Sequence, residues 1–306
     1  MEINSFTVTT PPLPAATVMM LRDTEQGMEV FLLKRHGLSD VLGGAYVFPG
    51  GKVDPGDTLL DMDAHLDQRL PDLHQALDED DIDTLTAAGL YVAAVREVFE
   101  ESGVLFAHRN SRREPGQTPS AETSGDTAAD SPWLSATSAG EAFDGLLAQH
   151  GLRLHTQALQ PWSRWVTPTV PSMMRKRFDT RFFVAIAPSH QTARHDNRET
   201  VESVWLAPRA ALEQYWRGDI ELAPPQIMSL AHLSRYGSAQ EAMNAARQRK
   251  PAVIRPEPFD MEGTRVLCYP GDPLHSVQER ALPGPTRLYY RNKRFEPATG
   301  FEALFG

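Results

Sequence analysis

Three glutamates, Glu97, Glu100 and Glu101, are grouped in the segment AAVREVFEESGV. On a helix, offsets of three and four residues bring their carboxylates to one face, within an arc of roughly 100°. Like charges at this spacing repel one another and weaken an isolated helix. A cation reverses the sign of that interaction, and magnesium and manganese are hard ions that bind carboxylate oxygens. The residues therefore predict a helix that holds Mg²⁺ or Mn²⁺, although clustered glutamates also occur on solvated helix faces.

A second segment, FPGGKVDPGD, precedes the glutamates and contains the pair Gly50-Gly51. Such a pair allows a turn with positive φ and a close approach of the backbone to a neighbour. A carbonyl oxygen exposed at this turn is a further ligand of the kind that hard cations take. The elements that must be positioned are therefore one helix and one glycine turn.

Together the two segments resemble the Nudix box, G-x5-E-x7-R-E-U-x-E-E-x-G-U, in which U is apolar. Gly51 corresponds to the opening glycine, and the run REVFEESGV fits the second half at every constrained position. The resemblance implies that Glu97, Glu100 and Glu101 hold the metal with the help of the Gly51 carbonyl. It also implies that Glu100 and Glu101 serve catalysis directly and that Arg96 orients the glutamates.

Two features depart from the usual box. Asp57 occupies the place of the family's first glutamate, where Arg96 is its expected partner. Residues 58–95 separate the two, whereas the usual box has seven residues there, so the insertion adds about 31 residues. An insertion at this point resembles the Nudix branch named for nucleoside-diphosphate-linked moiety X motif 19, the acyl-CoA diphosphatase type. The later string RFDTRFF resembles the same branch.

The resemblance implies an α/β/α sandwich around a mixed sheet. We expect residues 1–210 to form the Nudix domain, with a helical insert at 58–88 and a flexible, low-complexity loop at 108–140. Residues 211–306 are expected to add helices and a β extension packed on that domain. Within the insert, leucines at approximately helical spacing predict one or two short helices that lead into the metal-binding helix near Asp83. Its aspartates are expected on a solvated face rather than at a second metal site.

Apolar runs outside the box predict further elements of this fold. The runs at 14–22 and 28–35 have strand length and predict a hairpin at the heart of the sheet. The other expected elements are strands over 182–187, 204–206, 264–269 and 286–291 and helices over 141–150, 207–217, 224–236 and 238–249. Ser238 is a plausible N-cap of the last helix.

A stretch before the box carries two candidate substrate-binding residues. From Leu32 to Gly51 the chain is similar to the coenzyme A signature of related Nudix enzymes, L-L-T-x-R-[SA]-x3-R-x3-G-x3-F-P-G-G. It matches at Arg35 and at Phe48, which become the candidates. Asp40 stands where the signature has its second arginine. The alternative for Arg35 is an exposed charge at the end of a strand.

Basic residues cluster just before the strand predicted at 182–187. Arg177 and Arg181 are candidates to bind substrate phosphate, because guanidinium groups pair with phosphate oxygens. A solvated basic turn is the competing interpretation. Trp162 and Trp165 are expected in the core, although either could cover an adenine ring.

The candidate general base is a carboxylate in the segment HDNRETVESVW. In several Nudix enzymes a loop glutamate about six residues before such a tryptophan acts as the base, and Glu199 lies at that distance from Trp205. Asp196 and Glu202 remain alternatives.

Composition limits the partners that this chain can have. It has 306 residues and a formal net charge of −10, which argues against nucleic acid because duplex binding needs a basic footprint. A metal and a few local arginines can still bind a small anionic substrate. The single cysteine, Cys268, precludes an intramolecular disulfide. Because no apolar run approaches the length of a membrane span and the N-terminus lacks a secretion pattern, no membrane contact and a cytoplasmic location are expected. The sequence leaves open whether the chain forms a homodimer.

The expected function is metal-dependent hydrolysis of a nucleoside-diphosphate-linked substrate, as the resemblance implies. Coenzyme A (CoA) or acyl-CoA is the first expectation, cleaved to adenosine 3′,5′-bisphosphate and (acyl-)phosphopantetheine. One alternative is a Nudix pyrophosphatase that acts on ADP-ribose, NADH or nucleotide sugars. The other is a non-catalytic Nudix module that binds a nucleotide metabolite.

Overall fold

A hairpin of two long strands forms the centre of the fold. Strands β1 (Leu13–Thr24) and β2 (Gly27–Arg35) pair antiparallel, which confirms the hairpin predicted from the apolar runs. The computed structural model describes residues 6–39, 42–109, 143–170 and 176–306. Asp40 and residues 110–140 of the predicted low-complexity loop lie outside the described residues.

The sheet around this hairpin is mixed, as predicted. Its further strands are β3 (Tyr46–Val47), β4 (Gly50–Lys52), β7 (Gln160–Val166), β8 (Phe178–Ile186), β9 (Thr200–Leu206) and β10 (Ala252–Ile254). A separate two-stranded sheet consists of β5 (Ala107–Arg109) and β6 (Leu152–Leu154). The strand order is β10-β7-β8-β1-β2-β3, while β4 also pairs with β1 and β9 with β2. β8 runs parallel to β1 and β10 parallel to β7, and the other pairs are antiparallel. β5 pairs antiparallel with β6, and Leu154 of β6 also forms an isolated bridge with Leu66.

Helices cover both faces of the main sheet. In chain order the described helices are α1 (Pro55–Leu59), α2 (Met62–His65), α3 (Leu70–Leu77), α4 (Thr84–Ser102), α5 (Phe143–His150), α6 (Pro208–Arg217), α7 (Pro224–Leu233) and α8 (Ala239–Arg247). Val18 and Met20 of β1 share one apolar cluster with α3 and α4, whereas Met19 and Leu21 share another with α6, α7 and α8. Since neighbouring side chains of a strand point to opposite faces, the sheet is a middle layer. The predicted α/β/α sandwich is confirmed.

The ends of α4 are set by local chemistry. Asp83 precedes the helix and its Oδ1 accepts a hydrogen bond from the Thr86 backbone N–H at 2.7 Å, a typical N-cap. Gly103 ends the helix with φ of 71°, a left-handed conformation in which glycine carries no steric penalty. The predicted start of the glutamate-bearing helix near Asp83 is confirmed.

The inserted segment contains α2 and α3 and is anchored to the sheet through one buried carboxylate. Glu79 accepts hydrogen bonds from Arg181 Nε at 2.9 Å and from Arg181 Nη2 at 2.5 Å. Its Oε2 also lies 2.8 Å from Arg164 Nη1. Arg164 and Arg181 belong to β7 and β8, and both also pair with Asp179. These ion pairs hold the insert against the sheet.

The C-terminal residues form a larger sheet than the two strands predicted at 264–269 and 286–291. They add an antiparallel sheet of β11 (Glu257–Met261), β12 (Thr264–Cys268), β13 (Arg287–Arg291) and β14 (Arg294–Glu296). Leu267 and Leu288 of this sheet share an apolar cluster with Met19 and Leu212, so one core contains residues from both sides of the proposed boundary at residue 210. That boundary stays a prediction.

Three helices predicted after β9 are present with slightly shorter bounds. The N-cap expected at Ser238 is confirmed, because its Oγ accepts a hydrogen bond from the Glu241 backbone N–H at 3.1 Å. Among the described residues, no helix combines the length and the apolar character that crossing a bilayer requires.

Candidate active site

The two halves of the interrupted motif meet in space. β4, which carries Gly50 and Gly51, pairs with β1 and lies beside α4. The Gly50 backbone N–H donates a hydrogen bond to Glu101 Oε2 at 2.9 Å. A Cβ at position 51 would lie 2.5 Å from the carboxylate of Glu97, so any side chain there would displace that glutamate. The inserted segment therefore leaves the glycine turn and the acidic helix in direct contact.

Arg96 ties the two halves together. Its Nε and Nη2 donate to the two carboxylate oxygens of Asp57 at 2.8 and 2.9 Å, and Nη2 also donates to the Lys52 carbonyl at 3.1 Å. Its Nη1 donates to Glu97 Oε1 and to Glu100 Oε2, both at 2.9 Å. Both predicted roles of Arg96 therefore have a geometric basis.

Asp57 reaches Arg96 although aspartate is one methylene shorter than glutamate. It lies in the first turn of α1, and its Oδ2 accepts a hydrogen bond from the Asp54 backbone N–H at 2.8 Å. Its side chain is only 3% exposed. The helix places the Asp57 backbone close to the guanidinium, which compensates for the shorter side chain.

The three glutamates are desolvated without an equal supply of positive charge. Burial raises the pKa of Glu97 to about 7, against the opposing effect of Arg96. Burial raises the pKa of Glu101 to about 8, although the Gly50 N–H opposes the shift. Burial also raises the pKa of the half-exposed Glu100. A bound cation would favour the ionised form of all three.

This donor set fits a hard divalent cation. Glu101 Oε1 is buried with no hydrogen-bond partner among the described residues, and the nearest cationic atom recorded is Arg35 Nη1 at 3.8 Å. All the available donors are oxygens, which magnesium and manganese prefer. Within the described ranges, no three acidic, histidine or cysteine side chains are spaced as a complete metal site. Arg96 holds two of the three carboxylates, those of Glu97 and Glu100.

Arg35 and Glu199 lie beside this cluster. Arg35 Nη2 is 3.7 Å from Glu199 Oε2, and its Nε donates to Ser39 Oγ at 3.3 Å. The negative charge of Glu199 contributes to the raised pKa of both Glu97 and Glu101. Arg35 is therefore a partly buried cation between the carboxylates of Glu101 and Glu199, rather than an exposed charge at a strand end.

The other two candidate bases are engaged elsewhere. Asp196 accepts hydrogen bonds from three backbone N–H groups of the following turn and from the Thr200 hydroxyl at 2.7 Å, and its pKa is lowered. Glu202 is paired with Lys34 at 3.4 Å on β9. Of the three, only Glu199 is among the described residues that line the adjoining cavity.

A cavity of about 610 Å³ extends from the glutamates across the sheet. One end is formed by the box residues Gly51, Glu97 and Glu100 together with Glu199. The other end is mostly apolar and includes Trp165. A volume of this size lies within the range of small-molecule sites. The site therefore combines a charged end with an extended apolar end.

Comparison with known families agrees with this geometry. A family model described as the NUDT19 Nudix domain matches residues 9–233, which is well over half of the chain and includes both halves of the box. The chain belongs to the NUDT19 Nudix family. The predicted membership and the predicted branch are both confirmed.

Relatives of this NUDT19-family chain are moderately similar to it. It is 28% identical over 235 residues to a Xenopus laevis protein named acyl-coenzyme A diphosphatase NUDT19, covering 70% of this chain and 61% of that one. It is 29% identical over 244 residues to the Homo sapiens protein of the same name, covering 71% and 63%. The match thus spans about three fifths of the length of each relative.

A solved structure supports the fold of the NUDT19-family chain. The crystal structure of a Nudix hydrolase from Alicyclobacillus acidocaldarius matches with a TM-score of 0.59 and 24% identity, covering 78% of this chain and 97% of that one. At this identity the likeness concerns the fold.

Two of the four predicted substrate residues lie at the cavity of the NUDT19-family chain and two do not. Phe48 lines it, is 1% exposed and packs edge-on against Phe182, and Arg35 lines it near the glutamates. Arg181 is bonded to Glu79 inside the protein, and Arg177 donates to the carbonyls of Thr167 and Thr10 at 3.0 and 3.1 Å. Neither is among the described cavity-lining residues. Their predicted phosphate contacts therefore have no support in this geometry.

Sequence reasoning missed several residues of the site. Lys52 and Lys176 line the cavity, and so do Gln226 and Leu267. Lys176 directly precedes Arg177, one of the two candidates taken from the basic cluster. No local pattern distinguishes Leu267 from any other strand leucine.

Proposed function

We propose that this chain hydrolyses the diphosphate bond of CoA and acyl-CoA, giving adenosine 3′,5′-bisphosphate and (acyl-)phosphopantetheine. The observation that carries the proposal is the rejoined box, whose carboxylates lie at one end of a cavity with an extended apolar end. The two relatives bear the name acyl-coenzyme A diphosphatase, which favours this substrate among diphosphates.

Glu97, Glu100, Glu101 and the Gly51 carbonyl would hold Mg²⁺ or Mn²⁺. When bound, such a cation neutralises charge on the diphosphate and acts as a Lewis acid. Arg96 keeps Glu97 and Glu100 on the side of α4 that faces β4.

Glu199 is the proposed general base. A water oxygen attacks one phosphorus atom while the bond from that phosphorus to the bridging oxygen breaks, and Glu199 takes a proton from the water. Arg35, between Glu199 and Glu101, offsets the repulsion that their negative charges impose on each other and on the substrate. The leaving phosphate keeps the bridging oxygen, so atoms and charge balance.

The test is hydrolysis by the purified protein with Mg²⁺ or Mn²⁺ of a panel that contains CoA, acyl-CoA, ADP-ribose, NADH and nucleotide sugars. We expect turnover of the CoA substrates and the two named products. Glu100→Gln is expected to abolish turnover, whereas Glu213→Gln, at a half-exposed glutamate on α6, is the matched control.

Two other outcomes have defined meanings. Efficient cleavage of ADP-ribose without cleavage of CoA would overturn the substrate and leave the reaction class standing. Thermal stabilisation by a nucleotide metabolite without any turnover would identify a binding module instead. Arg96 binds Asp57, Glu97 and Glu100, and Glu101 accepts a hydrogen bond from the Gly50 N–H, so the box geometry gives no support to a silent module. The cytoplasmic location stays a prediction.

A further inference from the structure

The apolar end of the cavity lies directly across the sheet from the box. One register row joins Lys52 of β4 to Ala15 of β1, Ala15 to Thr180 of β8, and Thr180 to Trp165 of β7. Three steps between neighbouring strands cover about 14 Å. A ligand anchored by phosphate at the box and lying over this row must therefore have an arm of about that length.

The wall over this row comes partly from the C-terminal residues. Pro256 and Leu267 line the cavity, and both lie beyond residue 233, where the family match ends. Pro224 and Pro225, at the start of α7, also line the cavity. Proline has no backbone N–H, so this wall offers few hydrogen-bond donors to a ligand.

Two buried polar atoms that belong to lining residues lack partners among the described residues. Trp165 Nε1 and Gln226 Oε1 are buried without a hydrogen-bond partner among the described residues, and both residues line the cavity. Trp165 is 4% exposed and Gln226 is 6% exposed. Neither atom is exposed to the cavity, so neither gives the apolar end a hydrogen-bonding group.

Most of the positive charges that line the cavity lie at the box end. Arg35, Lys52 and Arg96 line the box end. Lys176, an exposed side chain before β8, is the fourth basic residue among the described lining residues. A phosphorylated nucleoside needs cations and several hydrogen bonds to its base, so the apolar end is better matched to the other half of the substrate.

We propose that the C-terminal extension, through Pro256 and Leu267, completes a pocket for the acyl-pantetheine arm and thereby sets the acyl-chain preference. This inference rests on the proposed function for its substrate. Each methylene that the pocket buries is expected to raise kcat/KM about fourfold until the pocket is full.

The test compares kcat/KM for octanoyl-CoA with kcat/KM for CoA. In Leu267→Trp, a larger side chain fills the pocket, and the ratio is expected to fall roughly tenfold, the loss of somewhat less than two buried methylenes. In Leu267→Ala, the peak of the chain-length profile is expected to move to longer acyl groups. Val266→Ala is the matched control, since Val266 is its buried neighbour on β12 and is absent from the described lining. The control is expected to leave the ratio unchanged.

A binding measurement separates failure of this inference from failure of the proposed function. Calorimetric titration with octanoyl-phosphopantetheine and with adenosine 3′,5′-bisphosphate requires no turnover. We expect Leu267→Trp to weaken the first ligand roughly tenfold and to weaken the second much less. If no CoA substrate is hydrolysed but this difference in binding is present, the function fails and the pocket stands. An unchanged ratio and equal weakening of both ligands, in variants that melt cooperatively, would overturn the pocket.

Discussion

Asp57→Ala removes the carboxylate that holds Arg96 in place, and its effect follows from the contacts of that pair. The wild-type pair makes two charge-assisted hydrogen bonds, of 2.8 and 2.9 Å, and its side chains are 3% and 10% exposed. Deleting one partner of a buried ion pair costs about 3–5 kcal/mol. Because Arg96 keeps Glu97, Glu100 and the Lys52 carbonyl as acceptors, we expect the lower value, about 3 kcal/mol.

Thermal unfolding in the presence of EDTA measures this loss. A change of 1 kcal/mol shifts Tm by about 2–4 °C in a domain of roughly this size, so Asp57→Ala should lower Tm by about 6–12 °C. Asp72→Asn is the control, because Asp72 also bonds Arg69 through both oxygens but does so at the surface. Its effect should be much smaller, since solvent screens an exposed pair.

A double-mutant cycle with Arg96→Ala tests the reasoning more sharply. If the two side chains stabilise the fold through each other, the double variant loses less than the sum of the single losses. Additive losses, or an Asp57→Ala loss no larger than that of the surface control, would refute the claim that this pair joins the two halves of the box.

Three further predictions concern protons, catalysis and the insert. Since the pKa values of Glu97 and Glu101 are raised to about 7 and 8, their protonation stabilises the metal-free fold most below pH about 4, and this contribution is lost as pH rises through 7 and 8. Tm in EDTA should therefore fall as the pH rises through 7 and 8. Over the same range, the Mn²⁺ affinity measured by calorimetry should rise, because protons no longer compete for the carboxylates. If neither quantity changes with pH, Glu97 and Glu101 are not the metal-binding residues. Glu199→Gln should lower kcat by about 10²- to 10⁴-fold in steady-state assays, whereas Glu202→Gln, the alternative base, should change it by less than about threefold. Glu79→Ala leaves two guanidinium groups buried beside the insert and should cost about 3–5 kcal/mol in urea unfolding, and a loss below about 1 kcal/mol would show that the insert is not anchored there.

Local sequence patterns predicted the elements that carry the chemistry. The run REVFEESGV lies within a few helical turns, so its spacing alone predicts that the three glutamates share a helix face. Strand pairing of β1 with β2 follows from two apolar runs with a short turn between them. Asp83 and Ser238 act as N-caps through hydrogen bonds to residues three positions ahead, which is a short-range property.

Element bounds were less predictable where pairing partners are distant. β8 begins at Phe178, before the apolar run that predicts it, because Phe178 and the next residues pair with the start of β1. Likewise β9 begins at Thr200, since it pairs with β2 as far as Arg35. The ladder hydrogen bonds, rather than the apolar pattern, decide these ends.

By itself the sequence determined the family, the acidic helix face and the glycine turn, because each depends on residues close together in the chain. Only the tertiary structure decided that Arg181 pairs with Glu79 inside the protein, that Glu199 rather than Asp196 faces the cavity, and that Leu267 lies in the wall of that cavity. These facts depend on contacts between residues tens to hundreds of positions apart. Such contacts arise when the sheet and its helical layers pack, and no local spacing encodes them.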